Sequence, residues 1–209
     1  MSSNKKIQTE QDDANSGHEI DKAVGSKTKR ELMHRRRVES NGYRRDDGLW
    51  DIEAHMKDLK TYDVYRDFDG SKVPEGSPFH DISLTMTLDD SFKVIDIHVH
   101  MDAFPFPNCS GAIPSFEVIK GTRIGPGWSR WLKQEFKGKV GCTHVLELLP
   151  VAATTAYQMM WGPLSDKYPE QISKTLQGLV NSCHGWSDDG PMVRKLVTED
   201  VIRLPEEEV

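Results

Sequence analysis

Three segments of the chain alternate apolar and polar residues at every second position, and this pattern restricts what the chain can fold into. The segments are LWDIEAHMKD, DISLTMTL and FKVIDIHVHMD, at residues 49–58, 81–88 and 92–102. Successive side chains of a strand point to opposite faces of a sheet, so strict alternation predicts half-buried strands. Turn-forming residues separate the last two segments, namely Asp89, Asp90 and Ser91. Residues 82–102 are therefore predicted to form a β-hairpin.

The third segment divides into an apolar face and an ionisable face. The apolar face, which we expect to point inward, consists of Ile95, Ile97, Val99 and Met101. The opposite face consists of Asp96, His98, His100 and Asp102. Two imidazoles in a His-x-His pattern can bind one transition metal, with a carboxylate as a further ligand. A solvated outer face of the hairpin explains the same residues, and we favour that explanation.

After the hairpin the apolar residues recur with a helical period. Helices are predicted at about 114–120, 126–137, 143–161 and 168–182, each closed by a nearby Gly or Pro. Pro150 interrupts the third helix, so we expect a kink or a new helix start there. Strands followed by helices indicate an α+β fold. We predict an antiparallel sheet with a central β-hairpin, covered by three to four C-terminal helices.

The first 40 residues contain no aromatic side chain and are rich in charged and polar residues. Such a segment buries too little apolar surface to offset the entropy of ordering, so 1–40 is predicted to be a disordered leader and 41–209 a single α+β domain. The leader ends in a basic run at residues 27–37. Because the chain has a net charge of -6 and the run lacks aromatic residues for base stacking, we do not expect a nucleic-acid partner.

The cysteine count and the hydropathy pattern indicate a cytoplasmic protein. The three cysteines, Cys109, Cys142 and Cys183, are far apart, which disfavours a disulfide framework. The N-terminus lacks the apolar core of an export signal, and no stretch approaches the ~20 apolar residues of a membrane helix. We therefore expect neither export nor membrane insertion.

The segment GCTHVLELL offers a candidate acid/base pair. His144 and Glu147 are three residues apart and share one face of the predicted helix. A carboxylate beside an imidazole can tune a general base, although the same Glu is favourable near a helix N-terminus without any catalytic role. Cys142 precedes this helix, where a thiol is either reactive or a small buried apolar group. His80, just before the hairpin, could turn into the same cleft.

Several common catalytic motifs are absent from the sequence, including the P-loop, the dinucleotide-binding Gly-x-Gly-x-x-Gly turn, the Gly-x-Ser-x-Gly elbow and the CxxC pair. The segments GYRRDDGLWDIEAHMKD, HDISLTMTLDD, DAFPFPNC, GTRIGPGW and GCTHVLELL, in this order, instead resemble a bacterial family described as domain of unknown function 2889. The resemblance runs from about Arg36 to the C-terminus.

The family resemblance implies a compact cytoplasmic domain, often found in organisms that degrade aromatic compounds, with no general mechanism. Polar positions that match the family pattern are Arg44, Asp47, Glu53, His80, Asp81, Asp102, Cys109, Cys142, His144 and Glu147. His98 and His100 depart from the pattern, which lowers the expectation of a family-wide metal site on that strand.

Together these features suggest a small-molecule lyase that acts on an aromatic, lignin-type catabolite and releases formaldehyde or carbon dioxide. His144, oriented by Glu147, and His80 are the candidate catalytic residues. Candidate substrate-binding residues are Arg44, Arg123, His98, His100 and Trp50. No cofactor is favoured; the alternatives are a noncatalytic module that binds an aromatic ligand and a hydrolase with a divalent transition metal at His98, His100 and Asp102. An open sheet edge makes a homodimer our expectation.

Overall fold

The structure is a computed structural model that describes residues 29–204, without the side chains of residues 170–172. The chain divides into two units between Met33 and His34, and the second unit carries every element given below. Most of the predicted leader, including Lys27, lies outside the described residues.

A four-stranded antiparallel sheet forms the centre of the second unit. Its strands, in their order across the sheet, are β1 (His34–Arg44), β2 (Trp50–Lys60), β5 (Pro78–Leu88) and β6 (Val94–Ala103). A small two-stranded sheet, β3 (Val64–Tyr65) and β4 (Lys72–Val73), lies in the connection between β2 and β5. The predicted hairpin is confirmed as β5 and β6. In its turn, the Asp89 carboxylate accepts hydrogen bonds from the backbone N–H groups of Ser91 and Lys93.

The helices follow the sheet in the chain, and the predicted α+β class is confirmed. The α-helices are α1 (Trp128–Glu135), α2 (Thr143–Lys167), α3 (Pro169–Leu179) and α4 (Pro191–Thr198). Within the described residues, three 3-10 helices span Cys109–Ile119, Gly138–Val140 and His184–Trp186, and the first of them replaces the α-helix predicted at 114–120. Helix α2 packs on β1, β2 and β5.

One face of the sheet is buried against the helices and forms the core. The alternation predicted for β2 is confirmed, since Ile52, Ala54 and Met56 are at most 1% exposed. Their counterparts on α2 are Val145, Leu148, Leu149, Ala152 and Ala156. A second, smaller core near the C-terminus consists of Leu176, Val193, Leu196 and Ile202.

The sheet begins earlier in the chain than the sequence indicated. Strand β1 starts at His34, inside the predicted leader, and pairs along its whole length with β2. The polar residues of β1 are compatible with a strand because β1 lies at the edge of the sheet, where side chains remain largely in solvent. The many charged residues of this segment led us to predict a leader, whereas from His34 onward the segment forms an edge strand.

Two local expectations differ from the structure. Ile95 is 42% exposed and Val94 is buried, because the pairing with β5 shifts between Thr87 and Leu88, which changes the face of the preceding residues. Helix α2 continues through Pro150 without a break in the helix. We attribute this continuity to the packing of its apolar face on the sheet, since tertiary burial outweighs the loss of one backbone hydrogen bond.

Candidate functional site

A buried polar cluster interrupts the apolar core at one end of the sheet. Asp58 follows Met56 on the inward face of β2, and His80 precedes Ile82 on the inward face of β5, so both occupy positions where the alternation calls for an apolar side chain. The two residues are directly paired across the strands. Asp58 is 1% exposed and His80 is 8% exposed. Buried ionisable groups of this kind require partners, which the surrounding elements supply.

Arg36 of β1 is the main partner of Asp58. Its Nε donates to Asp58 Oδ1 and its Nη2 donates to Oδ2, both at 2.7 Å, which is the bidentate geometry of a strong charge-assisted pair. His34 Nε2 lies 3.3 Å from Oδ1. Burial raises the pKa of Asp58, but the hydrogen bond and the charge of Arg36, with the charges of His80 and His34, outweigh burial and lower the pKa to about 2.

The Asp58 carboxylate also holds His80 in a fixed orientation. His80 Nδ1 lies 2.9 Å from Asp58 Oδ2, so a hydrogen on Nδ1 is donated to the carboxylate and the lone pair is left on Nε2. Burial lowers the pKa of His80, and the nearby His144 lowers it further, against the opposing effect of Asp58. His80 is therefore neutral near pH 7 and has an available basic nitrogen.

His144, in the first turn of α2, completes the cluster. Its ring centroid lies 3.8 Å from that of His80, at an interplanar angle of 37°. Its Nδ1 lies 3.9 Å from the Cys142 sulfur. This contact raises the pKa of His144, while burial and the charge of Arg36 oppose the increase. Burial raises the pKa of the Cys142 thiol, but the contact with His144 and two backbone N–H groups lower it overall.

Glu147 is connected to the cluster through Arg36. Its Oε2 accepts a hydrogen bond of 2.6 Å from Arg36 Nη1, and its side chain is about half exposed. We expected Glu147 to orient His144 directly. In the structure Glu147 instead binds Arg36, and Arg36 binds Asp58. Glu147 nevertheless contributes, by its charge, to the raised pKa of His144.

The predicted substrate-binding residues lie elsewhere in the fold. Trp50 is a core residue whose indole N–H donates to Asp90, and the Arg44 guanidinium lies over the Trp50 ring at 5.4 Å. Arg123 lies near the turn between β5 and β6, where it donates to the Ser91 carbonyl. Trp50 and Asp58 are separated by eight residues of β2, about 26 Å at about 3.3 Å per residue, so these side chains belong to the opposite end of the sheet.

The histidine pair of β6 is exposed. His98 and His100 are 74% and 70% exposed in their side chains, and each pairs with an acidic neighbour on the same strand, Asp96 and Asp102 respectively. This arrangement is the solvated outer face of the hairpin. Among the residues that the structure describes, the group with ligand atoms close enough to share a metal ion is Asp58, His80 and His144, whose atoms lie within 4.8 Å of one another.

The sequence predicted His80, His144 and Glu147 as candidate site residues, but it did not indicate Arg36 or Asp58. A signal for Asp58 was present, since it continues the inward positions Ile52, Ala54 and Met56 of β2 and places a carboxylate in line with the core. Arg36 carried no comparable signal, because it stood in a basic run that resembled a solvated tail.

The fold and this cluster define an α+β protein with an Arg–Asp–His centre, built around the buried Asp58, at one end of its sheet. Residues 34–158 match the family model described as "Protein of unknown function (DUF2889)". The match covers more than half of the chain, and the protein belongs to this family. It begins at the first residue of β1 and ends within α2, so it includes every residue of the cluster. Comparisons with curated proteins and with solved structures returned no match. Among the described helices, none is long and apolar enough to cross a membrane.

Proposed function

We propose that the protein is a small-molecule lyase that breaks a carbon–carbon bond by acid/base catalysis, with His80 as the base and His144 as the acid. The observation that carries the proposal is the contact of two imidazoles, 3.8 Å apart, whose pKa values are moved in opposite directions by their surroundings. Paired titratable groups with separated pKa values are a general sign of an acid and a base that work together.

The proposed reaction begins with a hydroxymethyl group on the substrate. His80 Nε2 accepts the hydroxyl proton, the bond between the hydroxymethyl carbon and its neighbour breaks, and formaldehyde leaves. The bonding electrons stay on the neighbouring carbon, which takes a proton from His144. The products are formaldehyde and the substrate with a hydrogen in place of the hydroxymethyl group, so atoms and electrons balance without a redox cofactor. Loss of carbon dioxide from a carboxylate would use the same proton donor.

Asp58 and Arg36 have positioning roles in this scheme. The buried carboxylate fixes the tautomer of His80 and stabilises the imidazolium that forms when His80 takes the proton, as in other Asp–His pairs. Arg36 holds that carboxylate from the exposed side of the cluster, and Glu147 in turn accepts a hydrogen bond from Arg36. The ring of Phe79 lies edge-on to His80 with centroids 5.2 Å apart, and it supplies aromatic surface beside the base. This surface supports an aromatic, lignin-type catabolite as the substrate.

A metal-assisted hydrolase is the second candidate, because the ligand atoms of Asp58, His80 and His144 lie within 4.8 Å of one another. The chemistry of the donor set favours the lyase. Both Asp58 oxygens already accept hydrogen bonds from Arg36, and the positive guanidinium beside them opposes a bound cation. Elemental analysis of the purified protein tests this candidate, since a stoichiometric transition metal that is removed together with activity would replace the lyase proposal.

The test of the lyase uses variants of both imidazoles with a matched control. We would incubate the protein with a panel of hydroxymethyl-bearing aromatic acids and phenols and measure released formaldehyde. His80→Gln and His144→Gln are each expected to reduce turnover about 10²-fold or more. His98→Gln removes an exposed histidine and should leave turnover unchanged. Binding of a panel member without its consumption would favour the noncatalytic module, and full activity of both site variants would exclude the mechanism.

The pH dependence of turnover provides an independent check. The mechanism requires neutral His80 and protonated His144, so activity should be highest between the lowered pKa of His80 and the raised pKa of His144.

A cytoplasmic location and a homodimer that pairs through the edge of β1 complete the proposal. Because this edge carries charged side chains, such as Arg35 and Glu39, the dimer should respond to ionic strength, and size-exclusion chromatography at low and high salt tests this expectation.

A further inference from the structure

A cavity of about 420 Å³ lies at the opposite end of the sheet from the polar cluster. It is bordered by the turn between β5 and β6, by the segment around Arg123, by the C-terminal half of α2 and by α3. Its volume falls within the range of small-molecule sites. Part of its wall, from Trp161 to Thr175, lies beyond the residues that match the family model, so the cavity joins the family domain to the C-terminal segment of this chain.

Aromatic rings form much of the cavity wall. Phe92 and Tyr157 stack with ring centroids 4.6 Å apart and an interplanar angle of 26°, while Trp161 and Tyr168 line other parts of the wall. Phe92 has a φ of 63°, which a residue with a side chain rarely adopts. Two backbone hydrogen bonds maintain this conformation, from Phe92 N–H to the Asp89 carbonyl and from Ile124 N–H to the Phe92 carbonyl. The strained backbone places the ring against Tyr157.

Arg123 supplies a cationic group at the cavity. One of its N–H groups donates to the Ser91 carbonyl at 2.8 Å, and within the described part of the chain it forms no ion pair with a carboxylate. Burial raises the pKa of the nearby Asp89, but hydrogen bonds from Ser91 and Lys93, with a smaller effect of the Arg123 charge, lower it overall, so this carboxylate is held by N–H and O–H groups of the turn. A guanidinium has five N–H donors, so Arg123 retains donors for a bidentate anion.

The other charged group in the wall is already neutralised. Asp90 accepts hydrogen bonds from the Trp50 indole at 2.9 Å, from Lys167 at 2.5 Å and from the Tyr168 hydroxyl at 3.0 Å. Its carboxylate is therefore occupied on both oxygens and does not compete with an anionic ligand for Arg123. Aromatic walls combined with one available guanidinium define a site for a planar ring that carries an anionic group.

We propose that this cavity binds a small aromatic carboxylate, with the ring against Phe92, Tyr157 and Trp161 and the carboxylate on Arg123. The site is distinct from the polar cluster, since Trp50, whose indole contacts Asp90, and Asp58 are about 26 Å apart along β2. A ligand in the cavity does not reach His80 or His144, so the proposal holds whether or not the lyase proposal is correct. Helix α2 contributes to both places, with His144 in its first turn and Tyr157 and Trp161 further along.

Isothermal titration calorimetry of the full chain with benzoate tests the proposal. We expect saturable binding with a Kd of about 1 mM or lower, and at least tenfold weaker binding of benzyl alcohol, which lacks the charge, and of cyclohexanecarboxylate, which lacks the planar ring. Arg123→Gln should weaken benzoate binding about tenfold or more. Ser165→Leu places a larger side chain in the cavity wall and should weaken binding without removing a charge.

Two controls assign the binding to the cavity. Arg130→Gln removes an exposed arginine on α1 and should leave the affinity unchanged. His144→Gln shows whether any of the measured binding belongs to the polar cluster, where the lyase proposal also places an aromatic acid. Circular dichroism confirms that each variant is folded. Loss of benzoate binding in His144→Gln, with full binding in Arg123→Gln and Ser165→Leu, would move the ligand to the polar cluster and overturn the proposal. Absence of saturable binding to the unmodified chain would overturn it as well.

Discussion

Arg36 and Asp58 are directly paired residues of β1 and β2, and the guanidinium of Arg36 binds both oxygens of the buried Asp58 carboxylate. This ion pair links the edge strand to the interior of the protein, in addition to the backbone hydrogen bonds between the two strands. It also determines which atoms remain available for chemistry, because Asp58 then holds His80 through Nδ1. The arrangement of the cluster therefore depends on an arginine at its more exposed margin.

Replacement of Asp58 should destabilise the fold. Asp58→Asn removes the carboxylate that binds His80 and Arg36 at a site that is 1% exposed, and it leaves Arg36 with Glu147 as its anionic partner. Loss of one member of a fully buried pair costs about 3–5 kcal/mol, and we expect about 1–3 kcal/mol here because Arg36 is partly solvated. Urea unfolding measures the change. Asp102→Asn, at a carboxylate that is 67% exposed, is the control and should stay within about 0.5 kcal/mol of the unmodified chain.

The free energy of unfolding should decrease in acid in two stages. The pKa of His80 is lowered from 6.5, mainly by burial, so the unfolded chain takes up that proton more readily and stability falls as the pH drops below 6.5. The pKa of Asp58 is about 2 in the folded protein against an ordinary 3.8, so its contribution is complete above pH 3.8 and is lost as the pH falls through 2.

His144 acts in the opposite direction in the same experiment. Its raised pKa contributes stability that is complete below pH 6.5 and is lost as the pH rises through the folded value. Urea unfolding at a series of pH values separates the three groups. His80→Gln should remove the decrease just below pH 6.5, and Asp58→Asn should flatten the limb below pH 3.8. An unchanged pH profile in both variants would contradict the assigned pKa directions.

Cys142 should react with alkylating agents at a lower pH than an ordinary thiol. The net effect of His144 and two backbone N–H groups is a lowered pKa of Cys142, and the thiolate is the reactive form. Iodoacetamide labelling followed by peptide mass spectrometry gives the pH midpoint of the reaction, with the exposed Cys183 of the same chain as an internal reference. His144→Ala should move the midpoint of Cys142 upward and leave that of Cys183 in place. A midpoint that does not respond to His144 would show that the contact has no electrostatic effect.

Gly42 should not tolerate a side chain. It lies on the inward face of β1, and an added Cβ would overlap the sulfur of Met159 and lie 3.2 Å from its Cβ, where α2 crosses the strand. Gly42→Ala is expected to cost about 1 kcal/mol in thermal or urea unfolding, because Met159 must move to make room for the added methyl group at this exposed position of the edge strand. Gly178→Ala is the matched control, because nothing lies near its Cβ in α3, and alanine favours a helix by up to about 1 kcal/mol. Equal effects of the two changes would argue against this helix–sheet contact.

The sequence predicted the strands and helices whose apolar pattern is visible within one short segment of the chain. The segments of β2, β5 and β6 could be predicted because each strand shows its two faces within ten residues or so, and the hairpin followed from its turn residues. His80 and His144 could be selected by residue type alone. The predicted helices at 143–161 and 168–182 correspond to α2 and α3, although α2 extends through Pro150.

The missed features depend on contacts between distant parts of the chain. Arg36 is separated from Asp58 by 22 residues and from Glu147 by 111, so its neighbours along the chain give no sign of its role. Strand β1 is polar because it is an edge strand, and this becomes visible only when its partner is known. The exposure of Ile95 results from a shift in strand pairing, which has no signature in the composition of β6.

The same alternation of β2 determines both the apolar core and the polar cluster. The positions that place Ile52, Ala54 and Met56 in the core also place Asp58 in the polar cluster. If β2 slipped by one residue against both β1 and β5, the apolar residues would turn outward and Asp58 would separate from Arg36 at the same time. A misaligned sheet would therefore be less stable and would lack the polar cluster. Formation of the polar cluster therefore requires the same strand register as burial of the core.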